Sequence, residues 1–327
     1  MPGPGIDVVT TRGFGDYALL DSGAMRKLER FGTVIVDRPE PQALWRPRLP
    51  ETEWRKAHAV FSASGEDDEK GRWRVDKPVA ESWPVRVNIG FLPPPLDPPR
   101  KGEGKDCREG TSHVTMLCRL AGLWHLGLFP EQMPHWQWMA ARLGEIAPRL
   151  GGEPPRVLNL FGYTGAASLI AAAAGAQVTH VDASKKAVAW ARENQAASGL
   201  DDKPIRWIVD DAQKFVAREV RRGRTYHMIL VDPPKFGRGP EGETWDLFPH
   251  LPGLLDNCTR LLAERDAAMI LTVYAIRASA LAFDQLMRER LSARSGTFHT
   301  GELAIAEAAG GRFVPTSLFT RWVAEQP

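Results

Sequence analysis

The apolar positions of this chain change period near residue 130. Before it, short β-branched pieces such as Thr33-Val34-Ile35-Val36 stand between proline clusters, as in DRPEPQALWRPRLPETEW. Residues 84–91, PVRVNIGF, alternate apolar and polar with the period of two that marks a half-buried strand. Val114, Met116 and Cys118 repeat that alternation. The stretch between them, LPPPLDPPRKGEGKDCREG, is rich in Pro, Gly and charge and cannot supply a core. It reads as a mobile hairpin loop inside a β-rich unit, not as a linker between units.

After residue 130 the pattern becomes regular. PEQMPHWQWMAARLGEIAPRL predicts a helix from near Pro134 to near Pro148. Strands are expected at 157–161, 178–182, 205–209, 228–231 and 268–273, and helices at 166–174, 185–198, 212–222, 244–262 and 279–291. Ser184 suits an N-cap and Gly199 a C-terminal stop. Strands alternating with helices favour a parallel sheet with right-handed crossovers. The tail, GELAIAEAAGGRFVPTSLFTRWV, breaks the alternation and predicts two strands joined by a Gly-Gly turn, which places an antiparallel strand in the sheet. The expected fold is α/β: a doubly wound, Rossmann-like sheet with a C-terminal antiparallel hairpin, preceded by a smaller β-rich domain. The boundaries are 1–128 and 129–327.

Composition narrows the classes. Forty-two basic and 40 acidic residues leave a formal charge of +2, a weak drive toward nucleic acid or membrane. Residues 1–128 hold 19 Lys and Arg against 18 Asp and Glu, a difference of +1. Three cysteines, Cys107, Cys118 and Cys258, form neither a disulfide framework nor zinc-ligand spacing, and no metal is expected. No apolar run approaches the roughly 20 residues of a membrane span, and the start lacks a signal-peptide pattern. A cytoplasmic protein without membrane partners is expected. The oligomeric state is not set by the sequence.

The chemistry concentrates in two segments. The first is VLNLFGYTGAASLIAAAAGAQVTHVDASKKAVAWARENQAAS, the second VDPPKF. A strand runs through Asn159 and Phe161 into the turn Gly162-Tyr163-Thr164-Gly165, and a helix follows whose first N–H groups are unpaired. Asp182 lies 23 positions after Asn159, near the ~20 expected between a nucleotide-binding turn and the acid that grips a ribose. No G-x-G-x-x-G is present, which counts against NAD or FAD. Asp182, beside Ala183, can accept both ribose hydroxyls. Asp211, or its neighbour Asp210, can accept from an adenine amino group ahead of Ala212.

In NLFGYTG, THVDASKKAVAWARENQ and DPPKF the chain resembles class I S-adenosylmethionine-dependent methyltransferases, and more narrowly the bacterial group that modifies bases of large-subunit ribosomal RNA. The resemblance covers roughly the last 200 residues. It implies S-adenosyl-L-methionine as cofactor, lined by Asn159, Phe161, Gly165, Asp182, Asp211 and Asp232. It also implies that HLGLFPEQ (125–132) brings Gln132 to the pocket. Two positions depart from the family: Asn159 stands where Asp is usual, and Lys235 separates the prolines from an aromatic residue.

Asp232-Pro233-Pro234 closes the fourth strand of the series. Prolines fix φ and remove N–H donors, so this turn offers acceptors, as an amine donor needs if its lone pair is to face a methyl group. Phe236 can stack on a base, Lys235 and Arg238 can meet phosphate in what reads as a flexible basic loop, and Tyr274 and Arg277 suit stacking or phosphate contact. Cytosine carbon-5 methylation needs a thiolate nucleophile. In the resembling enzymes that Cys follows the fifth strand. Here LTVYAIR stands in its place, so carbon-5 chemistry is disfavoured. The function expected is methylation of a base nitrogen of ribosomal RNA. The alternatives are methylation of a small molecule or protein, or a non-catalytic cofactor-binding RNA assembly factor. Trp45, Arg46, Arg48, Trp54, Arg55, Arg72, Trp73 and Arg74 interleave in the first unit and read either as an RNA surface or as core and rim of a β-domain.

Overall fold

The computed structural model describes residues 6–64, 67–90, 113–122, 124–274, 277–308 and 310–325. The loop expected at 92–110 lies outside the described residues, as does Cys107.

The first part contributes β1 (Ile6–Thr11), β2 (Tyr17–Gly23), β3 (Arg26–Phe31), β4 (Val34–Pro39), the one-turn α1 (Glu51–Trp54), β5 (Ala59–Ser64), β6 (Asp67–Val75), β7 (Trp83–Asn88) and β8 (His113–Cys118). Strands β2 to β6 form one sheet in chain order, and β7 and β8 form a separate antiparallel ribbon. The alternation read at 84–91 appears over 83–88 as the strict in–out burial of β7, and Phe91 lies outside the described residues. Trp54 is buried and donates Nε1–H to Asp21 Oδ2 at 3.1 Å, while Trp45 and Trp73 donate to Ser22 O and Ala121 O. Trp54 is thus a core residue, and the rings of Trp45 and Trp73 are half-buried.

The rest follows as α2 (Met133–Ile146), β9 (Arg156–Leu160), α3 (Ala166–Ala173), β10 (Gln177–Asp182), α4 (Lys185–Ala197), β11 (Ile205–Val209), α5 (Ala212–Arg221), β12 (Met228–Val231), β13 (Phe236–Arg238), β14 (Thr244–Asp246), α6 (Leu247–Leu261), β15 (Ala268–Tyr274), α7 (Ala280–Arg290), β16 (Gly296–Ala306) and β17 (Phe313–Ala324). The sheet order is β11-β10-β9-β12-β15-β17-β16-β1. From β11 to β15 the strands are parallel, and β17 runs antiparallel to both β15 and β16. The strand order reverses direction between β9 and β12, where an open α/β sheet leaves a crevice at the carboxyl ends of its strands. One face packs on α5, α6 and α7. The other packs on α2, α3 and the β7–β8 ribbon.

Two elements differ from expectation. Ile6–Thr11 lies within the stretch assigned to the first unit, yet it pairs parallel with β16, Ile6 opposite Thr300 through Thr11 opposite Ile305. Residues 244–246 are not helical. They pair antiparallel with 236–238, so the expected basic loop is a short hairpin and the helix starts at Leu247. Trp245 causes this: its ring is buried and its Nε1–H donates to Pro234 O at 2.7 Å, while Leu247 N–H donates to Lys235 O at 3.0 Å.

Candidate active site

The chain leaves β9 through a turn in which every second residue is left-handed: Phe161 (φ 57°), Tyr163 (φ 48°) and Gly165 (φ 87°). Two aromatic residues in that region are unusual, and such strain persists only where the surroundings over-determine it. They do so here. Gly162 N–H donates to Val181 O, Gly165 N–H to Gly162 O, and Tyr163 N–H to Asp182 Oδ2 at 2.8 Å. A Cβ on Gly162 would lie 2.4 Å from His180 Cε1, so glycine there is set by packing behind the turn. Helix α3 starts at Gly165 without a side-chain cap, which leaves its first N–H groups open to a ligand.

Asp182 ends β10, with Oδ2 on Tyr163 N–H and Oδ1 on Ser184 N–H at 2.8 Å. Burial raises its pKa, and those two donors oppose the rise. Each carboxylate oxygen can accept a second bond, so both remain able to meet a diol. Asn159 stands on β9, just before that turn. It is buried, and its Nδ2 donates to Ser168 Oγ at 2.9 Å, which in turn contacts His180 Nδ1 at 3.0 Å. Burial lowers the His180 pKa to about 3, so this ring is neutral. Asp211 caps α5 through Lys214 N–H, with Ala212 buried behind it. Asp210 accepts from Asp211 N–H and pairs with Arg218. Its own N–H donates to Asp182 O at 3.1 Å, which sets the two acidic turns side by side.

A second cluster lies at the end of β12. Gln132 is buried, and its Nε2 donates to Asp232 Oδ2 at 3.1 Å and to Tyr274 Oη at 2.7 Å. Asp232 Oδ1 is buried and, among the described residues, has no hydrogen-bond partner. Burial, then the Glu131 carboxylate, hold the Asp232 carboxyl well above the ordinary range. Phe129 connects the clusters, its ring centroid 5.7 Å from Tyr163 and 5.6 Å from Tyr274. Thr164 turns its hydroxyl onto Gly127 O at 2.6 Å. Pro233 is buried and Pro234 exposed. Beyond the turn, Lys235, Phe236, Arg238 and Arg277 are exposed, Phe236 by 62%. The structure thus gathers Gln132, Phe161, Tyr163, Asp182, Asp232 and Tyr274 around one crevice. Glu131 and Trp245 stand beside them, and Ser168 and His180 are buried behind the turn. Only the Pro-Glu-Gln context hinted at Glu131, and no local pattern marks the others.

These groups fit S-adenosylmethionine: open N–H groups at α3 for a carboxylate, Asp182 for a ribose, and an orphaned Asp232 oxygen for a donor brought to the methyl group. Among the described residues no group of three or more His, Cys, Asp or Glu could hold a metal ion, and no helix is long and apolar enough to cross a membrane. Cys118 and Cys258 are fully buried, and burial pushes both thiols far up in pKa, so neither is a ready nucleophile.

Residues 137–292 match the family model described as S-adenosylmethionine-dependent methyltransferase. Among curated proteins, the chain is 38% identical over 110 residues to ribosomal RNA large subunit methyltransferase K/L of Shewanella baltica, which is 33% of this chain and 15% of that protein. It is 43% identical over 81 residues to ribosomal RNA large subunit methyltransferase I of Shewanella denitrificans, 24% of this chain and 20% of that one. The match therefore spans a small part of these relatives' own length. The protein SMU.776 complexed with SAH shares the fold, at TM-score 0.66 and 16% identity over 94% of this chain and 75% of that chain. The crystal structure of the SAM-dependent methyltransferase from Agrobacterium tumefaciens is 46% identical at TM-score 0.84, over 98% of this chain and 94% of that chain. Identity of that order, sustained from the β-rich part through the closing hairpin, goes beyond a shared scaffold: the chain belongs to the S-adenosylmethionine-dependent methyltransferases.

Proposed function

We propose that this methyltransferase acts on a base nitrogen of ribosomal RNA, in the cytoplasm, as a step of ribosomal RNA processing. Asp232 Oδ1 carries this reading: an acceptor at the carboxyl end of β12, buried and, among the described residues, without a partner. A buried acceptor left unsatisfied costs roughly 1–3 kcal/mol, and the N–H of an incoming amine would relieve that cost. Gln132 fixes the carboxylate by holding its other oxygen and spans to Tyr274. The cofactor, when bound, supplies a methyl group on a sulfonium. The residues supply placement: Asp182 would hold the ribose, Asp210 or Asp211 would take the adenine amino group, and Phe161, Gly162, Tyr163, Thr164 and Gly165 with Ala183 and Ala212 would line the pocket. Asp232 and the Pro233-Pro234 turn would orient the amine lone pair. Positioning of this kind can contribute about 7–11 kcal/mol to the barrier.

The RNA target draws support from the curated relatives and from the rim. Phe236 is exposed, with Lys235 Nζ 5.2 Å from its ring centroid, and Arg238 is exposed beside it, a pairing of stacking face and cation suited to an extracted base. The amino-terminal unit, residues 1–128, would take part in recognition. The test sets methyl transfer to total ribosomal RNA, nucleosides, cell-extract protein and small metabolites side by side. Transfer to RNA is expected, abolished by Asp232→Ala with the cofactor dissociation constant held within about tenfold. Transfer confined to protein or metabolites overturns the RNA target.

A further inference from the structure

Asn194 of α4 is fully buried, and its amide joins two elements distant in sequence. Its Oδ1 accepts from Leu117 N–H at 2.8 Å, on the outer edge of β8, and its Nδ2 donates to Thr164 O at 2.9 Å, in the turn after β9. Both partners are backbone groups of fixed polarity, so the amide has a single satisfied orientation. The Thr164 carbonyl and the Gly165 N–H belong to one peptide plane, and that N–H donates to Gly162 O at 3.0 Å. The plane is therefore held at both ends, immediately before the uncapped start of α3. Thr164 Oγ1 also donates to Gly127 O, in the segment that leads to Gln132.

We propose that Asn194 is a positioning residue for the cofactor. By fixing the Thr164–Gly165 peptide it aims the open N–H groups of α3 at the carboxylate of the cofactor's amino-acid end, and it ties that aim to the β7–β8 ribbon. This rests on the reading that the 159–165 turn holds the cofactor. A control lies at the C-cap of α4: Ser198 Oγ accepts from Thr115 N–H at 2.9 Å and lies 2.7 Å from Asn194 O and 3.1 Å from Thr115 O, so it clamps the same strand without touching the turn.

Asn194→Asp keeps the size and the acceptor for Leu117 but sets an oxygen against Thr164 O. Its dissociation constant for S-adenosylhomocysteine should rise about tenfold or more. That for 5′-methylthioadenosine, which lacks the amino-acid end, should stay within about twofold, and Ser198→Ala should change neither. Equal weakening of both ligands, or of neither, overturns the proposal. Asp182→Ala separates the two levels: if it leaves both ligands bound as in the wild type, the reading of the turn itself fails. Should Asn194→Asp not fold, hydrogen exchange on the wild type decides. S-adenosylhomocysteine should slow the Leu117 amide more than that of Thr115, and equal or absent slowing at Leu117 counts against the link.

Discussion

Glu131 sits buried between Gln132, which holds Asp232, and the charged face of β3 and β4, which carries Lys27, Glu29 and Arg38. Desolvation raises its pKa to about 6 from an ordinary 4.5, against the pull of Lys27 and Arg38. The sign follows from that direction. Below about 4.5 the folded and unfolded chains both carry the proton. As pH rises through about 6 the unfolded chain has lost it and the folded chain must follow, so stability falls. The displacement corresponds to about 2 kcal/mol. We therefore expect Glu131→Gln to gain about 2 kcal/mol over the wild type between pH 4 and pH 8, in paired denaturant melts. A difference that does not change with pH would refute the account. The place of Asp182 at the end of β10 was legible, because the end of a second strand is a topological position that sequence spacing encodes. Glu131 was not, because its environment is built by β3 and β4 from nearly a hundred residues earlier. Asn159 shows the same limit: its place on β9 could be read, whereas its bond to Ser168, and through Ser168 its link to His180, depends on packing across the sheet.

At the scale of elements, caps were the readable part. Ser184 accepts from Ala187 N–H at the start of α4, and Gly199 follows its end with φ 64°. The β13–β14 hairpin was not readable, because ETWDLF has helix-compatible apolar spacing and only tertiary contact decides against it. The deciding contact is Trp245, whose ring centroid lies 4.9 Å from that of Phe161 in the turn after β9 and whose indole N–H holds Pro234 O. Trp245→Phe keeps an aromatic ring and removes the bond. We expect a loss of about 0.5–1.5 kcal/mol in stability. The turnover number should also fall, because the turn that presents Asp232 loses its anchor, while cofactor affinity holds. A Trp245→Phe enzyme with wild-type turnover would show that the hairpin merely covers the core.

For the whole molecule, the parallel order and the antiparallel β17 followed from alternation and from its interruption, both patterns along the chain. The edge strand β1 left no such pattern: Ile6, Asp7 and Val8 are all exposed, and its partner lies some three hundred residues away. The same reach appears in the core. Val85, Val87, Val114, Met116 and Cys118 of the ribbon belong to one continuous cluster with Met139 of α2 and Leu169 and Ile170 of α3, so the boundary proposed at 128 and 129 runs through packed side chains. Five fully buried apolar side chains, at roughly 1.5–3 kcal/mol each, amount to on the order of 10 kcal/mol. That is comparable to the entire stability of an ordinary domain, about 5–15 kcal/mol. The fragment 129–327 would lose these contacts and also leave Trp190, Asn194 and Ser198 without their partners on β8. We expect the full chain to unfold in one cooperative transition, with tryptophan fluorescence and far-ultraviolet circular dichroism coinciding. The fragment should lack a folded baseline even with S-adenosylhomocysteine present. Two separate transitions, or a fragment that folds and binds the ligand, would show instead that the boundary divides the molecule energetically as well as in sequence.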